Sequence, residues 1–402
     1  MSSRGLSVSR AHFYCARCYT DRGIYRMNCH FTLRVTTIFF LLIIGSTAAM
    51  ADEFKPQDLS WYRDESGQRQ AVRSAADWDR RRADVLVRMQ QVMGELPDRS
   101  KLPPLDLKVS ETVQRDGYRR LTVSFANLYD ERVTAYLYEP DGLKPGERRP
   151  AVLALQSTGV EGKDIMDGRG PRGPSRAYGK EMAERGYVVI APDYPSFGDQ
   201  KNYDFAHSRY ASGTMKAISD NMRCADLLLS RANVEPEKLA VIGFSLGGHN
   251  ALFTAAFDTR LKAVVTTCGW TPFHSYYGGK KLANWAQPRY MPRVTSTYGD
   301  DPDRMPFDFA ELIGAIAPRP VFSDSPLHDA NFDVEGVRQA SEEIRKVYDL
   351  IGSKDRYVLQ YPDHAHDFTD ESRRAAYRFI DAQLGFTPKR DTPTTSAPTP
   401  AN

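Results

Sequence analysis

Ser245 stands at the centre of the pentapeptide GFSLG, residues 243–247, which fits the pattern G-x-S-x-G. An apolar run precedes it and a helical pattern follows, as expected for a sharp strand-to-helix turn. A serine on such a turn has a strained backbone, and the flanking glycines let strand and helix approach closely. The first amides of the helix then face any negative charge that develops nearby. We therefore predict Ser245 as a nucleophile. The alternative is a glycine-rich turn with a capping serine.

A serine hydroxyl needs a base to become a nucleophile, and the expected base is a histidine after the last strand of the sheet. The segment RYVLQYPDHAHDF, residues 356–368, has a strand pattern followed by His364 and His366. His366 is preferred because it lies at the loop apex, just before the final helix, and His364 is the alternative. No further ligand set at metal spacing accompanies this H-x-H pair, so no metal is expected.

The acid that orients the base is expected after the penultimate strand. The segment PRPVFSDSPLHDANFDVEG, residues 318–336, offers three aspartates. Asp329 is preferred because it lies deep enough in the loop to reach a neighbouring strand's loop, and Asp324, at the strand end, is the alternative. Asp333 fits the acidic first turn of the next helix. Asp193 also ends a strand, but it precedes Ser245, against the expected order of serine, acid and histidine.

These residues belong to a chain in which short apolar runs alternate with helical patterns. The runs begin at Ala151, Val188, Leu239, Lys262, Pro320 and Arg356. The helical patterns cover Ser175–Arg185, Thr214–Ser230, Gly248–Phe257, Gly336–Ile351 and Ser372–Leu384. Apolar strands that alternate with helices predict an α/β fold with a mostly parallel central sheet flanked by helices.

Two further patterns precede this alternation. Residues Trp61–Met93 have near-helical apolar spacing, which predicts an N-terminal helix lying on another element. Leu121–Phe125 and Val133–Tyr138 alternate apolar and polar residues, as a half-buried antiparallel pair would.

Together with APDYPSFGD, residues 191–199, the GFSLGG motif and the ordered triad candidates resemble the α/β-hydrolase family. The similarity covers about 130–386 and is greatest to secreted bacterial enzymes of the dienelactone-hydrolase and acetyl-xylan-esterase types. It implies Ser245 as nucleophile, Asp329 as acid and His366 as base, with no cofactor. It also implies an oxyanion hole made by the backbone N–H groups of Leu246 and Thr158. Two departures are a Gln-Ser pair at 156–157 where many esterases have His-Gly, and a serine where dienelactone hydrolases have a cysteine.

A long connection, about 270–315, separates two of the predicted strands and is rich in aromatic residues. Long connections in compact domains are usually functional, and aromatic faces suit a sugar ring better than a lipid chain. We therefore expect a cap insertion with Trp270, Tyr276, Tyr277 and Trp285 as substrate-binding residues. The alternative is that these aromatic side chains only pack the cap onto the sheet.

The N-terminal segment has the pattern of an export signal. An 11-residue apolar run, Val35–Gly45, follows Arg34 and precedes Ala49-Met50-Ala51, which predicts cleavage after Ala51; Met27 is an alternative start. The run is too short to span a membrane, so no stable membrane anchor is expected after cleavage. We thus expect a leader over 1–51, a hydrolase domain over 52–386 and a disordered tail over 387–402. The domain divides into N-terminal elements over 52–150 and a catalytic core over 151–386.

Charge and cysteine content exclude other classes. The chain has net charge +3, and its first 51 residues, with six Arg and one Asp, carry +5, which leaves −2 for the remainder. No basic nucleic-acid-binding surface is therefore expected. Cys224 and Cys268 are the only cysteines after residue 51, and both fit buried apolar positions better than a disulfide.

The expected function is an exported serine esterase acting on a small-molecule or polysaccharide ester, with small acyl groups on carbohydrates as the leading substrate. One alternative is a peptidase of the prolyl-oligopeptidase type, although only about 80–100 residues precede the sheet, too few for the β-propeller of those enzymes. The other alternative is a non-catalytic binding protein, which the complete set of triad candidates disfavours.

Overall fold

The computed structural model describes residues 57–388. The expected leader and its cleavage site lie outside these residues, as does the expected tail beyond Pro388. The domain boundaries drawn from the sequence therefore stay predictions. None of the helices in the part of the chain that is described is both long and apolar enough to cross a membrane.

Eleven strands and eight α-helices make up the described chain. In chain order the strands are β1 (Trp61–Arg63), β2 (Arg69–Ala71), β3 (Lys108–Arg115), β4 (Tyr118–Ala126), β5 (Arg132–Pro140), β6 (Arg149–Leu155), β7 (Val188–Pro192), β8 (Val234–Phe244), β9 (Ala263–Thr267), β10 (Val321–Asp324) and β11 (Tyr357–Gln360). The helices are α1 (Ala75–Met93), α2 (Tyr178–Glu184), α3 (Gly213–Leu229), α4 (Leu246–Phe257), α5 (Arg293–Ser296), α6 (Phe309–Gly314), α7 (Val334–Leu350) and α8 (Asp370–Leu384).

Nine strands form one sheet in the order β11-β10-β9-β8-β6-β7-β5-β4-β3. The strands from β6 to β11 pair in parallel, whereas β5, β4 and β3 extend the sheet as antiparallel neighbours. Every residue of β6, β7, β9 and β10 is buried, as expected for strands covered on both faces. The predicted α/β fold with a mostly parallel, helix-covered sheet is confirmed.

The segment before the sheet differs from the sequence prediction. Residues 61–71 form the antiparallel hairpin β1–β2, and the helix begins only at Ala75, where the side chain of Ser74 caps it. The apolar spacing did not distinguish the hairpin because Trp61 and Tyr62 are also buried. The predicted antiparallel pair is confirmed as β4–β5, and β3 adds a third, mostly exposed strand at the sheet edge.

Parallel strands direct their carboxyl ends to one edge of the sheet, where loops from several strands meet. The loops after β8, β10 and β11 carry Ser245, Asp329 and His366 respectively. The long connection between β9 and β10 contains α5 and α6 and packs against the same hydrophobic core as the sheet. Cys224 and Cys268 are both buried and unpaired, as the sequence predicts.

Candidate active site

Ser245 occupies the turn between β8 and α4 with φ 55° and ψ −117°, a conformation in which a residue with a side chain is strained. Its amide donates to the carbonyl of Thr267, at 2.9 Å, which ties the turn to the end of β9. Two glycines make the turn possible. A Cβ at Gly243 would lie 2.0 Å from the carbonyl oxygen of Gly247, and one at Gly247 would lie 1.9 Å from that of Leu155. The backbone thus has the strained strand-to-helix geometry that the sequence predicts.

His366 lies in the loop after β11 and contacts the serine directly. Its Nε2 is 3.0 Å from Ser245 Oγ. The imidazole packs between two rings, with centroid separations of 5.0 Å to Phe244 and 5.9 Å to Phe332. This packing restricts the ring to the orientation in which Nε2 faces the hydroxyl.

Asp329 contacts the other side of the same imidazole. Its Oδ2 is 2.8 Å from His366 Nδ1, so the carboxylate contacts the ring nitrogen opposite the one that faces Ser245. Its Oδ1 accepts hydrogen bonds from the amides of Asn331, at 2.8 Å, and Phe332, at 3.1 Å. These two amides fix the carboxylate, and the side chain is almost fully buried.

The alternative candidates lie elsewhere. Asp324 accepts a hydrogen bond from Gln360 Nε2 at 3.0 Å and is fully buried. His364 contacts Ser372 Oγ at 3.2 Å and the carbonyl of Ala365. Asp193 is paired with Lys163 Nζ at 2.8 Å. None of these three has a hydrogen bond to Ser245 or His366 among residues 57–388.

The two predicted oxyanion-hole residues flank the nucleophile. Leu246 is the first residue of α4, and Thr158 follows β6 as an exposed loop residue whose carbonyl accepts a hydrogen bond from Arg172 at 2.9 Å. Leu246 and Thr158 line the same cavity as Ser245. Both therefore lie where backbone N–H groups could face a substrate carbonyl.

The cavity beside Ser245 has a volume of about 360 Å³. Its wall consists of aromatic, amide, aliphatic, hydroxyl and imidazole side chains. The lining residues are Thr158, Ser245, Leu246, His249, Tyr276, Asn284, Trp285, Gln287, Tyr290, Asn331 and Phe332. Most of them come from the connection between β9 and β10 and from the loop after β10, so the aromatic insertion forms much of the wall.

Two of the four aromatic residues expected to bind substrate line this cavity, Tyr276 and Trp285. The structure places the other two elsewhere. Trp270 is buried in the core, where its indole Nε1 donates to Ser323 Oγ at 2.8 Å. Tyr277 packs edge-on against Tyr276, and its hydroxyl donates to Asn331 Oδ1, so it supports a lining residue without lining the cavity.

Other lining residues were not predicted from the sequence, and the clearest is His249. It lies four residues after Ser245 and therefore on the same face of α4, a spacing that could have indicated it. The others are Asn284, which lies in a short 3-10 helix, and Gln287, Tyr290, Asn331 and Phe332, which lie in loops. None belongs to a periodic pattern, so no periodic signal places them at the cavity.

Cys268 lies next to the histidine–aspartate pair. It follows β9 with φ 47°, and its thiol is 3.4 Å from the carbonyl of Asp367. Its Sγ and ligand atoms of Asp329 and His366 all lie within 4.8 Å of one another. Burial raises the pKa of this thiol well above its usual value, which keeps it protonated and makes it a weak nucleophile.

Comparison with known proteins agrees with this architecture. "Putative hydrolase YtaP" of Bacillus subtilis (strain 168) is 28% identical over 323 residues, covering 75% of this chain and 100% of that protein. The "4-O-methyl-glucuronoyl methylesterase 1" of Wolfiporia cocos is 24% identical over 341 residues, covering 78% of each chain. Among solved structures, a glucuronoyl esterase from Solibacter usitatus superposes with a TM-score of 0.64 at 18% identity, covering 82% of this chain and 98% of that one.

The family model described as "Prolyl oligopeptidase family" matches residues 177–383, which is more than half of the chain. This match includes the strand-to-helix turn of Ser245 and the loops of Asp329 and His366. The chain is therefore a hydrolase with the α/β-hydrolase fold, and it belongs to the prolyl oligopeptidase family.

Proposed function

We propose that this hydrolase is a serine esterase in which Ser245 is the nucleophile, His366 the general base and Asp329 the acid that orients the base. One observation carries the proposal. Ser245 Oγ, His366 and Asp329 Oδ2 form a continuous chain of two hydrogen bonds, 3.0 and 2.8 Å long, and Ser245 lines a cavity large enough for a small ester. This is the arrangement by which a histidine activates a serine hydroxyl.

In the proposed reaction, Ser245 Oγ attacks the ester carbonyl while His366 Nε2 takes the hydroxyl proton. Asp329 Oδ2 accepts the hydrogen bond from Nδ1–H, which holds the imidazole in the required tautomer and stabilises the imidazolium. His366 then donates the proton to the leaving alcohol, and an acyl group remains on Ser245. Water, deprotonated by His366, attacks this acyl-enzyme; the bond to Ser245 Oγ breaks, the carboxylic acid leaves, and His366 returns the proton to Oγ.

We assign the oxyanion hole to the backbone N–H groups of Leu246 and Thr158. Leu246 supports this assignment because the amino terminus of α4 presents unpaired N–H groups and a positive dipole end beside the nucleophile. Thr158 supports it because it follows the neighbouring strand β6 and lines the same cavity. One such donor lowers the barrier by about 3 kcal/mol in serine hydrolases.

The substrate class that we propose is a carbohydrate carrying a small ester-linked acyl group. The names of the related proteins support an ester of a carbohydrate, and the aromatic and amide wall of the cavity supports a sugar ring. Export of the protein is part of this proposal, supported by the signal-like pattern before Asp52. The family name keeps an amide substrate as the second candidate.

The test is hydrolysis of p-nitrophenyl acetate, butyrate and octanoate by the full chain, with acetyl-alanine p-nitroanilide as the amide. We expect the acetate to be cleaved fastest, and Ser245→Ala and His366→Ala each to lower kcat by about 10⁴- to 10⁶-fold. The exposed His207→Ala serves as the control and retains wild-type rates. Ester hydrolysis that survives Ser245→Ala would refute the proposal, and cleavage of the anilide without cleavage of any ester would favour a peptidase.

A further inference from the structure

His249 is a buried imidazole in the wall of the cavity, one helical turn after the nucleophile. Its backbone N–H donates to the carbonyl of Ser245 at 3.0 Å, so α4 fixes the spacing between the two residues. The side chain is 2% exposed and lines the cavity together with Ser245. No step of the ester hydrolysis described above uses this residue.

Aromatic rings hold the imidazole of His249 in place. Its ring centroid lies 4.9 Å from that of Trp285 and 5.2 Å from that of Phe253, both in edge-to-face geometry. A third ring, Tyr290, lies 6.3 Å away. Since Trp285 and Tyr290 also line the cavity, the imidazole is a preorganised part of its wall.

One polar atom of this imidazole lacks a hydrogen-bond partner in the described part of the protein. Burial lowers the pKa of His249 to about 3, so the ring is neutral at physiological pH, with one nitrogen that donates and one that accepts. Its Nε2 is buried and has no hydrogen-bond partner within residues 57–388. A buried polar atom without a partner requires an explanation, and at a binding cavity a hydrogen bond to a bound ligand supplies one.

The rest of the wall shows what kind of ligand group this is. None of the eleven lining residues is Asp, Glu, Lys or Arg. Amide side chains come from Asn284, Gln287 and Asn331, and aromatic faces come from Tyr276, Trp285 and Tyr290. Uncharged donors and acceptors next to aromatic faces match the hydroxyl groups and the apolar face of a neutral sugar ring, whereas an anionic sugar would find no cation among the lining residues.

We propose that His249 is a specificity-determining residue whose imidazole hydrogen-bonds a hydroxyl group of an uncharged sugar bound in the cavity beside Ser245. This inference rests on the proposed esterase function and names the part of the substrate that the cavity selects. A site built to hydrogen-bond a substrate hydroxyl discriminates strongly against substrates without one, because its buried polar groups are then left unpaired.

The experiment compares two acetate esters, mono-O-acetylated methyl xyloside and p-nitrophenyl acetate, which share the acyl group and differ in the sugar. For each variant the ratio of kcat/KM for the sugar ester to kcat/KM for the chromogenic ester is measured. We expect His249→Phe, which keeps an aromatic ring without its nitrogens, to lower this ratio by about 10- to 100-fold. His249→Gln, which keeps a donor and an acceptor, should hold the ratio within about fivefold of wild type, and the exposed His207→Phe should leave it unchanged.

An acetylated glucuronic acid with a free carboxylate provides a second measurement on the wild-type protein. We expect its kcat/KM to be at least about 10-fold lower than that of the acetylated xyloside, because no cation lines the cavity. This comparison stays informative if the Phe variant fails to fold, which thermal denaturation would show.

The outcomes separate the two proposals. A fall of both activities in parallel in His249→Phe, or an unchanged ratio, would overturn the role of His249 while leaving the esterase proposal standing. Equal cleavage of the neutral and anionic sugars would overturn the selection for an uncharged ring. A wild-type protein that cleaves none of these esters would refute the esterase proposal and the inference that rests on it.

Discussion

The carboxyl groups of Asp324 and Asp329, five positions apart at the end of β10, contact different partners: Asp324 accepts a hydrogen bond from Gln360, whereas Asp329 contacts His366. The difference arises because the chain leaves the sheet between the two residues, since β10 ends at Asp324. Asp324 is still paired within the sheet, alongside Thr267 and Gln360, so its side chain stays among buried residues. Asp329 lies beyond the sheet edge, where a loop can cross toward the end of β11.

This difference predicts that the substitution of Asp329, and not that of Asp324, impairs catalysis. Asp329→Asn should lower kcat for p-nitrophenyl acetate by about 10⁴-fold, because the asparagine amide favours the wrong imidazole tautomer. Asp324→Asn should keep kcat within about threefold of wild type, since Asp324 has no hydrogen bond to Ser245 or His366 among residues 57–388. Comparable losses of kcat in the two variants, measured at saturating substrate, would contradict the assignment of Asp329 as the acid.

Asp324 also makes stability depend on pH. Burial raises its pKa to about 6 from 3.8, so the folded state holds the proton more tightly than the unfolded state does. The contribution of Asp324 to the stability of the folded state is therefore most favourable below about pH 4 and is lost as pH rises through about 6. A shift of this size corresponds to about 3 kcal/mol. Between pH 4 and pH 7, the free energy of unfolding of Asp324→Asn should therefore rise by up to that amount relative to that of the wild-type protein. Urea unfolding at both pH values measures the difference in stability between the variant and the wild-type protein. A difference that does not change with pH would contradict this prediction.

The close approach at the nucleophile turn predicts that Gly247→Ala destabilises the fold. The added Cβ would lie 1.9 Å from the backbone oxygen of Leu155 and 2.8 Å from that of Gln156, neither of which can move without shifting β6. We expect a loss of more than about 2 kcal/mol in the free energy of unfolding, together with loss of esterase activity. Gly159→Ala is the control, because its Cβ would meet chiefly the flexible carboxylate of Glu161. Equal stability of the two variants would contradict the steric argument.

A buried ion pair joins α1 to α6 and predicts a pH-dependent cost of substitution. Arg81 Nη2 lies 2.6 Å from Glu311 Oε1, and both side chains are fully buried. Burial raises the pKa of Glu311 to about 7, and Arg81 works against this rise. Arg81→Met should raise the pKa of Glu311 further. The free energy of unfolding of the variant should therefore fall by about 3–5 kcal/mol at pH 8. The loss should be clearly smaller at pH 5, where Glu311 is already largely protonated.

The control for this prediction is Arg345→Met, because Arg345 is half-exposed and pairs with the exposed Glu342. It should change the free energy of unfolding by less than about 1 kcal/mol at either pH. Chemical denaturation of both variants at pH 5 and pH 8 provides the comparison. A loss from Arg81→Met that is the same at both pH values would show that packing, and not the charge of Glu311, determines the cost.

The position of Cys268 predicts inhibition by soft metal ions. Mercuric ion binds sulfur strongly enough to displace the proton of a thiol, and at Cys268 it would lie within reach of His366 and Asp329. We expect mercuric chloride to abolish p-nitrophenyl acetate hydrolysis by the wild-type protein, and Cys268→Ala to raise the concentration needed for half-inhibition by at least about 10-fold. Cys224→Ala, which removes the buried cysteine of α3, should remain as sensitive as wild type. Equal sensitivity of Cys268→Ala would exclude this thiol as the target.

The sheet and the order of the candidate triad could be predicted from the sequence because each depends on a strong local signal. Apolar runs such as Val188–Pro192 indicate strands buried on both faces, and chain order then assigns the loops that meet at one sheet edge. The choice between Asp324 and Asp329 depends on how far a strand extends. Periodicity locates a strand end only to within a few residues, so the sequence alone left both aspartates as candidates for the acid.

The aromatic residues of the insertion were harder to assign. Trp270 and Trp285 lie in the same aromatic-rich connection, and composition alone does not distinguish a ring that lines a cavity from one that fills the core. Trp270 follows β9 closely and points into the core, where Ser323 accepts its N–H. His249 had a usable signal in its four-residue spacing from Ser245. Two of its aromatic neighbours, Trp285 and Tyr290, nevertheless come from a distant segment that no local pattern connects to it.

The insertion between β9 and β10 also limits how this protein can change over evolution. Its buried side chains, among them Phe273, Trp285 and Phe307, belong to the same hydrophobic cluster as Leu155 and Val241 of the central sheet. Removing or exchanging the whole segment would expose that cluster, so the insertion is not a module that can be swapped between relatives. New substrate preferences are therefore accessible mainly through single substitutions at its exposed rim, such as Asn284 and Gln287, which line the cavity without contributing to the core.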